Sequence, residues 1–381
     1  MRSVNVRVGV LTNIPSPYQV ELFNAIAARG RVDLRVWYCA DRDLRRLWKP
    51  PNIDHWHRIG AGWSIKTTRE QWYFDPRPAM ELVRWHPDIA VVSVYPLPTM
   101  QVGMWAATIA GVPWIYWGEA VASGGNGLFR RLGRGLALAP LRWAEGFFAV
   151  GRKGVENFRS FISADRPVLT VPYFSNLARF APATEAVSRA GKETTFLFIG
   201  SFTYRKGIDV LARAFSELLR ARPNDRLVIA GDGQTTELFD AHLSSDAAAR
   251  VVRRGFIPWE RLPEFYREGN FLVMPSRYDG WGLVIPEAMA SGLPVIGSVK
   301  AGAALDLVRD GETGWRLTSL EPAALANLML KASTLSAAER IRMSQESFKR
   351  AQRYRAEVGA RVFERGVRLL INHSRRRARG V

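Results

Sequence analysis

The sequence predicts an α/β protein built from two Rossmann-like, doubly wound domains facing a central cleft, and three observations lead there. The chain has 381 residues, more than one hydrophobic core of about 250 to 300 residues usually supports. Short apolar runs alternate with stretches of helical periodicity, the pattern of a parallel sheet with crossover helices. The alternation also breaks once and then restarts.

In order along the chain, residues 6–11 read as a buried strand, 13–17 as a loop rich in proline, and 18–29 as a helix. Strands are expected at 34–38, 89–94, 114–117, 146–150 and 168–171, with helices near 99–110 and 152–162 between them. The break falls at Pro172-Tyr173-Phe174-Ser175-Asn176 and at 181–192, where proline, small residues and charge combine as in a linker. The second half opens with a strand at 195–199. Helices at 207–220, 234–243, 262–268 and 284–291 then alternate with strands at 226–230, 251–253, 271–274 and 295–296. The rest, 321–372, reads as helix. The expected domains are residues 1–180 and 190–350, with a last helix of about 355–381 packing back on the first. Ligands of such sheets sit beyond the carboxyl ends of the strands, which places a site in the cleft.

Composition narrows the function classes. With 47% hydrophobic and 23% charged residues the chain is globular rather than disordered. The single cysteine, Cys39, allows no intramolecular disulfide, suits the reducing cytosol and is expected in the core. Arg7 interrupts the first apolar stretch, so no signal peptide is expected, and no run approaches the ~20 apolar residues of a membrane span. The expected place is the cytoplasm, peripheral to the inner membrane leaflet at most. A net charge of +19 and a pI near 10.7 admit three partners: nucleic acid, an anionic membrane or phosphorylated substrates. Solubility and an arginine-rich composition account for the same charge.

Two clusters carry chemistry. The first runs from Met274 to Ile296, where a strand gives way to a glycine-bearing loop and then to a helix whose first turn holds Pro286. The N–H groups of Gly282, Leu283 and Val284 at that helix start suit a diphosphate, and Gly280 and Gly282 leave room for its approach. Asp279 and Glu287 are placed to accept hydrogen bonds from vicinal hydroxyls on either side. Read alone, Asp279 is equally a turn residue and Glu287 a helix-dipole partner. The second cluster, Phe198 to Asp209, repeats the strand, loop and helix with Arg205 and Lys206 adjacent. They offer a forked donor and a point charge to a departing phosphate. Alternatively they form a solvated basic turn.

Together these clusters resemble the nucleotide-binding domain of retaining glycosyltransferases of family 4 (glycosyl transferases group 1), which have the GT-B fold. The resemblance spans about 195–317. It includes Gly200 with Arg205-Lys206-Gly207, Val228-Ile229-Ala230-Gly231-Asp232-Gly233, Arg254-Gly255-Phe256-Ile257-Pro258, the block from Asp279 to Glu287, and Gly311-Glu312-Thr313-Gly314. It implies that Arg205 and Lys206 bind the donor diphosphate and Glu287 the ribose, while Asp279 holds the sugar and the main chain at Phe256 and Ile257 meets the base. Two departures stand out. Asp279 is found where the family usually has glutamate, and Ser201 where it often has arginine, which leaves more of the phosphate contact to Arg205.

The first half says less. Asn13, Ser16, Tyr18 and Gln19 follow the first strand, where the family places acceptor contacts. Glu119, after Trp117-Gly118, stands near the position of a histidine that many members carry; it is the substitute candidate, or else a surface carboxylate. Trp114, Tyr116 and Trp117 suit stacking on sugar or a place in the core. Asp41-Arg42-Asp43 reads as a solvated turn beside Arg45 and Arg46 rather than a metal motif, and His55 and His57 lack further ligands at zinc spacing. No Gly-x-Gly-x-x-Gly follows the first strand, which disfavours a dinucleotide oxidoreductase. The resemblance therefore implies transfer of a sugar from a nucleotide sugar to a glycan or lipid-linked acceptor, without metal or cofactor, in cell-envelope polysaccharide or lipopolysaccharide synthesis. A nucleotide-sugar epimerase or hydrolase of the same fold, and a basic nucleic-acid-binding protein, are the alternatives.

Overall fold

The computed structural model describes residues 6–43, 51–66, 71–121, 128–180, 193–231, 233 and 236–379. The sequence-based readings of 1–5, 45–46, 181–192, Asp232 and 234–235 lie outside the described residues. The chain divides into two compact units: Met1–Asn176 with Ala356–Val381, and Leu177–Arg355.

In the first unit the strands are β1 (Val6–Thr12), β2 (Val32–Tyr38), β3 (Trp56–Ile59), β4 (Trp63–Lys66), β5 (Gln71–Phe74), β6 (Ile89–Ser93), β7 (Trp114–Gly118), β8 (Gly146–Ala149) and β9 (Val168–Thr170). Seven of them form one parallel sheet in the order β3-β2-β1-β6-β7-β8-β9, and β4 pairs antiparallel with β5 as a hairpin. β6 and β7 are buried along their whole length, as befits central strands covered on both faces by helices. The final helix, Ala356–Ala378, packs on the first, Pro17–Ala28. Arg29 grips Glu364 with two hydrogen bonds of 2.7 and 3.1 Å. Gly359 lets the final helix lie against Phe174, since a Cβ there would be 2.3 Å from that ring.

The second unit holds β10 (Thr195–Ile199), β11 (Arg226–Ala230), β12 (Val251–Arg253), β13 (Phe271–Met274), β14 (Val295–Ser298) and β15 (Gly314–Leu317). They form a parallel sheet in the order β12-β11-β10-β13-β14-β15. Phe196, Phe198, Leu227, Ile229, Phe271 and Val273 bury one face of it against the helix Ile208–Leu218 and the helix Pro322–Ser333.

Both sheets share a geometric feature that matters for function. The strand order reverses between β1 and β6 in the first unit and between β10 and β13 in the second. At such a reversal the crossovers leave in opposite directions and open a crevice at the carboxyl ends of the two strands.

Several elements were not expected from the sequence: β3, the β4–β5 hairpin, β15, and the helices Pro76–Arg84, Leu128–Leu138 and Gly302–Leu307. The helix Pro76–Arg84 did carry a start signal, because Asp75 caps it by accepting from the Arg77 N–H and Pro76 sits in its first turn. β3 carried none. All four of its residues are exposed, so no buried stripe marks it.

Candidate functional site

β10 and β13 lie side by side, and the two charged clusters follow them directly. After β10 the chain turns through Gly200 and a short 3-10 turn, Tyr204–Lys206, into the helix Ile208–Leu218. Gly207 makes that joint. It adopts φ +71°, and a Cβ there would meet the Pro275 carbonyl oxygen at 2.0 Å, so only glycine allows this loop to lie against the loop after β13.

The contact brings Lys206 to Asp279. Their ammonium and carboxylate form an ion pair across 73 residues of sequence, with side chains only 12% and 15% exposed. A pair so shielded from water is stronger than an exposed one. The solvated basic turn does not describe Lys206. Around the pair the two loops are bolted together: the Arg277 N–H donates to the Arg205 carbonyl at 2.8 Å, and the Arg205 guanidinium donates to the Tyr278 carbonyl at 2.9 Å. Arg277 also donates to both oxygens of Asp209 at 2.6 and 2.7 Å and lies over the Tyr204 ring at 3.6 Å. Burial pushes the Asp209 carboxyl up, but the bonds and charge of Arg277 outweigh it and hold it below the usual carboxylate range.

The loop after β13 ends at Gly282, with φ +92°, and the helix Val284–Ala290 begins. Gly282, Leu283 and Val284 occupy the helix start, where the first N–H groups have no partners within the helix. Glu287 sits in its first turn, 6% exposed, and accepts from the Tyr266 hydroxyl at 3.0 Å. Burial first, then the Glu287 charge, keeps the Tyr266 hydroxyl protonated far above its ordinary range, so it remains a donor that fixes the carboxylate. Gly280 lies tight against the next loop, since a Cβ on Gly302 would be 2.5 Å from its carbonyl oxygen. Ser201 is exposed, and so is Phe256 at 42%. The segment of Phe256 and Ile257 is tethered through Trp259, which accepts from Arg179 at 2.8 Å and lies 3.5 Å under that guanidinium.

Sequence reasoning overlooked Tyr266, and the Arg277–Asp209 pair that rivets the two loops. A buried tyrosine five residues before β13 gives no local signal; only the fold places it against Glu287.

In the first unit uncharged side chains join the ends of β1 and β6. Gln19 is buried and its amide donates to Thr12 Oγ1 at 3.1 Å, while Ser93 at the end of β6 donates to the same oxygen at 2.9 Å. The Asn13 carbonyl accepts from the N–H groups of Cys39 and Ala40, and Ser16 precedes the helix without a side-chain cap bond. The Tyr18 ring lies 4.5 Å from Tyr173. Trp114, Tyr116 and Trp117 are core residues, 1%, 3% and 3% exposed, and the Trp117 indole donates to the Val171 carbonyl. Trp117 thus turns inward, its ring among Phe23, Phe148 and Phe363, and offers no face for a sugar. Glu119 lies half-buried at the end of β7, close enough that its charge, after burial itself, helps hold the Tyr173 hydroxyl above its usual range. The solvated-turn reading fails at Asp43, which is buried, although Asp41 is exposed. His55 is a core residue held by Asn24 and Tyr38.

Comparison with known proteins agrees with the geometry of the second unit. The glycosyl transferases group 1 family model matches residues 182–350. A D-inositol 3-phosphate glycosyltransferase of Segniliparus rotundus is 30% identical over 201 residues, covering 50% of this chain and 44% of that protein. A GDP-mannose-dependent alpha-(1-6)-phosphatidylinositol monomannoside mannosyltransferase of Mycolicibacterium smegmatis is 34% identical over 151 residues, covering 36% and 39%. The chain thus spans under half the length of these curated relatives. Over nearly the whole chain the fold is that of the Anabaena protein HepE in complex with UDP, with a TM-score of 0.73, 16% identity and coverage of 95% and 99%. Residues 182–350 therefore match the group 1 glycosyl transferase family model, and the chain has the GT-B fold.

Proposed function

We propose that the chain is a retaining glycosyltransferase of family 4 that moves a sugar from a nucleotide-diphosphate donor to a glycan or lipid-linked acceptor. The observation that carries this reading is the Lys206–Asp279 pair at the strand-order reversal of the group 1 domain, beside the buried carboxylate of Glu287. A Lys ammonium has three donors. One engages Asp279, and the others remain to meet a diphosphate lying along the helix start at Gly282 to Val284.

In the proposed reaction the bond between the sugar's anomeric carbon and the phosphate oxygen breaks, and the nucleoside diphosphate leaves with the electron pair. Lys206 and Arg205 stabilise that charge as it grows. The acceptor hydroxyl attacks on the face the diphosphate leaves and passes its proton to a phosphate oxygen, so the product keeps the donor's configuration. The two cations supply the electrophilic charge in this scheme, which needs no resident metal. Asp279 orients the transferred sugar, Glu287 the ribose, and the main chain at Phe256 and Ile257 meets the base. In the first unit Asn13, Ser16, Tyr18, Gln19 and Glu119 face the acceptor side.

The names of the relatives guide the choice of donors: UDP and GDP sugars are the first to test, with inositol phosphates and phosphatidylinositol glycans among the acceptors. A place in cell-envelope polysaccharide or lipopolysaccharide synthesis, at the cytoplasmic face of a membrane, follows from a lipid-linked acceptor. One phosphate contact of this kind is worth ~3 to 4 kcal/mol in the transition state. Lys206→Ala is expected to lower turnover by roughly two to three orders of magnitude, read as product formed from a panel of nucleotide sugars. Undiminished turnover in that variant refutes the assignment.

A further inference from the structure

The β4–β5 hairpin of the first unit has its apolar side outward. Trp63 pairs with Phe74 and Ile65 with Trp72, so these four side chains share one face of the two-stranded ribbon. Trp63 is 80% exposed, Ile65 70% and Phe74 51%. The opposite face sends Tyr73 into the core, where it is 6% exposed and its hydroxyl donates to the Arg42 carbonyl. An ordinary surface hairpin does the reverse and puts polar residues outward.

The hairpin is also held firmly. The Thr99 hydroxyl donates to the Tyr73 carbonyl at 3.1 Å, and a Cβ on Gly62 would lie 2.3 Å from the Asp75 Cβ, so the start of β4 is pressed against the end of β5. Nearby in sequence, Trp56, Ile59 and Met80 are exposed as well, at 43%, 38% and 41%. A cluster of large exposed apolar residues on a fixed scaffold marks a surface built to be covered.

Charge selects the occupant. The unit that carries the hairpin has 29 Lys and Arg against 15 Asp and Glu, a net +14 of the chain's +19, whereas the second unit has 25 against 20. A basic body with tryptophan and aliphatic side chains standing out from it is matched by an anionic lipid surface, where indoles settle at the headgroup level and cations gain from the surface potential. We infer that the outward face of the β4–β5 hairpin inserts into the headgroup region of an anionic membrane and docks the first unit there. The inference draws on the proposed function only in that a lipid-linked acceptor gives docking a purpose.

The test is flotation of the 381-residue chain with phosphatidylglycerol/phosphatidylcholine vesicles and with phosphatidylcholine alone, at low and high salt. The protein is expected to float with the anionic vesicles. The double variant Trp63→Ser, Ile65→Ser is expected to partition at least tenfold less at every salt concentration, and Phe74→Ser to fall between. Thermal unfolding of the variants checks that the fold is kept. Equal partitioning of the double variant, or no binding of the parent protein, overturns the inference. So does a parent dimer in light scattering that the double variant converts to monomer, since the face then joins two copies of the chain. Donor binding, read by thermal shift with nucleotide sugars, is expected to be the same in the variants. Failure of the donor reading would therefore leave the vesicle result standing, and the converse also holds.

Discussion

The two units solve the same construction problem and furnish it differently. Each has a parallel sheet whose strand order reverses once, at β1 and β6 or at β10 and β13. At the second reversal the loops bring an ammonium to a carboxylate and an arginine to Asp209. At the first, the loops meet through the uncharged Thr12, Gln19 and Ser93. The chain there also bends through Val94 at φ +53°, a conformation that a β-branched residue rarely adopts. A charged crevice suits a diphosphate, which needs compensating charge as it leaves. In the proposed scheme the uncharged groups at the first reversal orient a hydroxylated acceptor.

Each crevice can be disrupted at the joints that build it. The largest effect is expected from Gly207→Ala. A left-handed conformation costs a non-glycine residue about 1–2 kcal/mol, and the added Cβ would stand 2.0 Å from the Pro275 oxygen. A loss of roughly 3 kcal/mol or more in denaturant unfolding is expected, together with loss of donor binding.

Arg277→Ala comes next. It strands Asp209, whose side chain is 12% exposed, without its bidentate partner, and a loss of about 2–3 kcal/mol is expected, somewhat below that of a fully buried pair. The depressed carboxyl of Asp209 adds a sign: its stabilisation is present above the unfolded value and is lost as pH falls through the lower folded value. Arg277→Ala should therefore flatten the acid limb of the stability curve.

The first unit has a pH response of its own. Burial, then the neighbouring His57, lowers His55 from 6.5 to about 3. The folded unit holds it neutral while the unfolded chain takes up a proton below pH 6.5. Its contribution is full above pH 6.5 and declines as pH falls toward 3, by about 1 kcal/mol per pH unit. Stability measured from pH 7 to 5 should decline accordingly, and His55→Gln should reduce the slope.

The smallest effect is expected at Val94. Relief of its backbone strain by Val94→Gly is worth about 1 kcal/mol before the added freedom of the unfolded chain is subtracted. Stability should change by less than about 1 kcal/mol in either direction, while KM for the acceptor rises and donor binding holds.

The same contrast decided what could be read from sequence. In the second unit β10, β11, β12 and β13 were expected at the residues where they stand, because buried parallel strands are short apolar runs cut off by glycine or charge. The Lys206 and Asp279 loops were legible for a related reason: glycine and paired charges at strand ends are costly unless they serve a turn or an anion. What joins them was not. Nothing local ties Arg277 to Asp209, 68 positions away, or Tyr266 to Glu287. In the first unit Trp117 offered two meanings, and burial settled it as core. β3 and the β4–β5 hairpin escaped notice because their apolar residues, Tyr73 apart, face outward, against the pattern by which strands are recognised.

The most direct test is calorimetric titration of UDP and GDP into the 381-residue chain and its Lys206→Ala variant. If the β10–β13 crevice holds the diphosphate, at least one of the two nucleotides binds the parent protein, and the variant binds it tenfold or more weakly. Equal affinity in the two proteins would show that Lys206 does not hold the diphosphate.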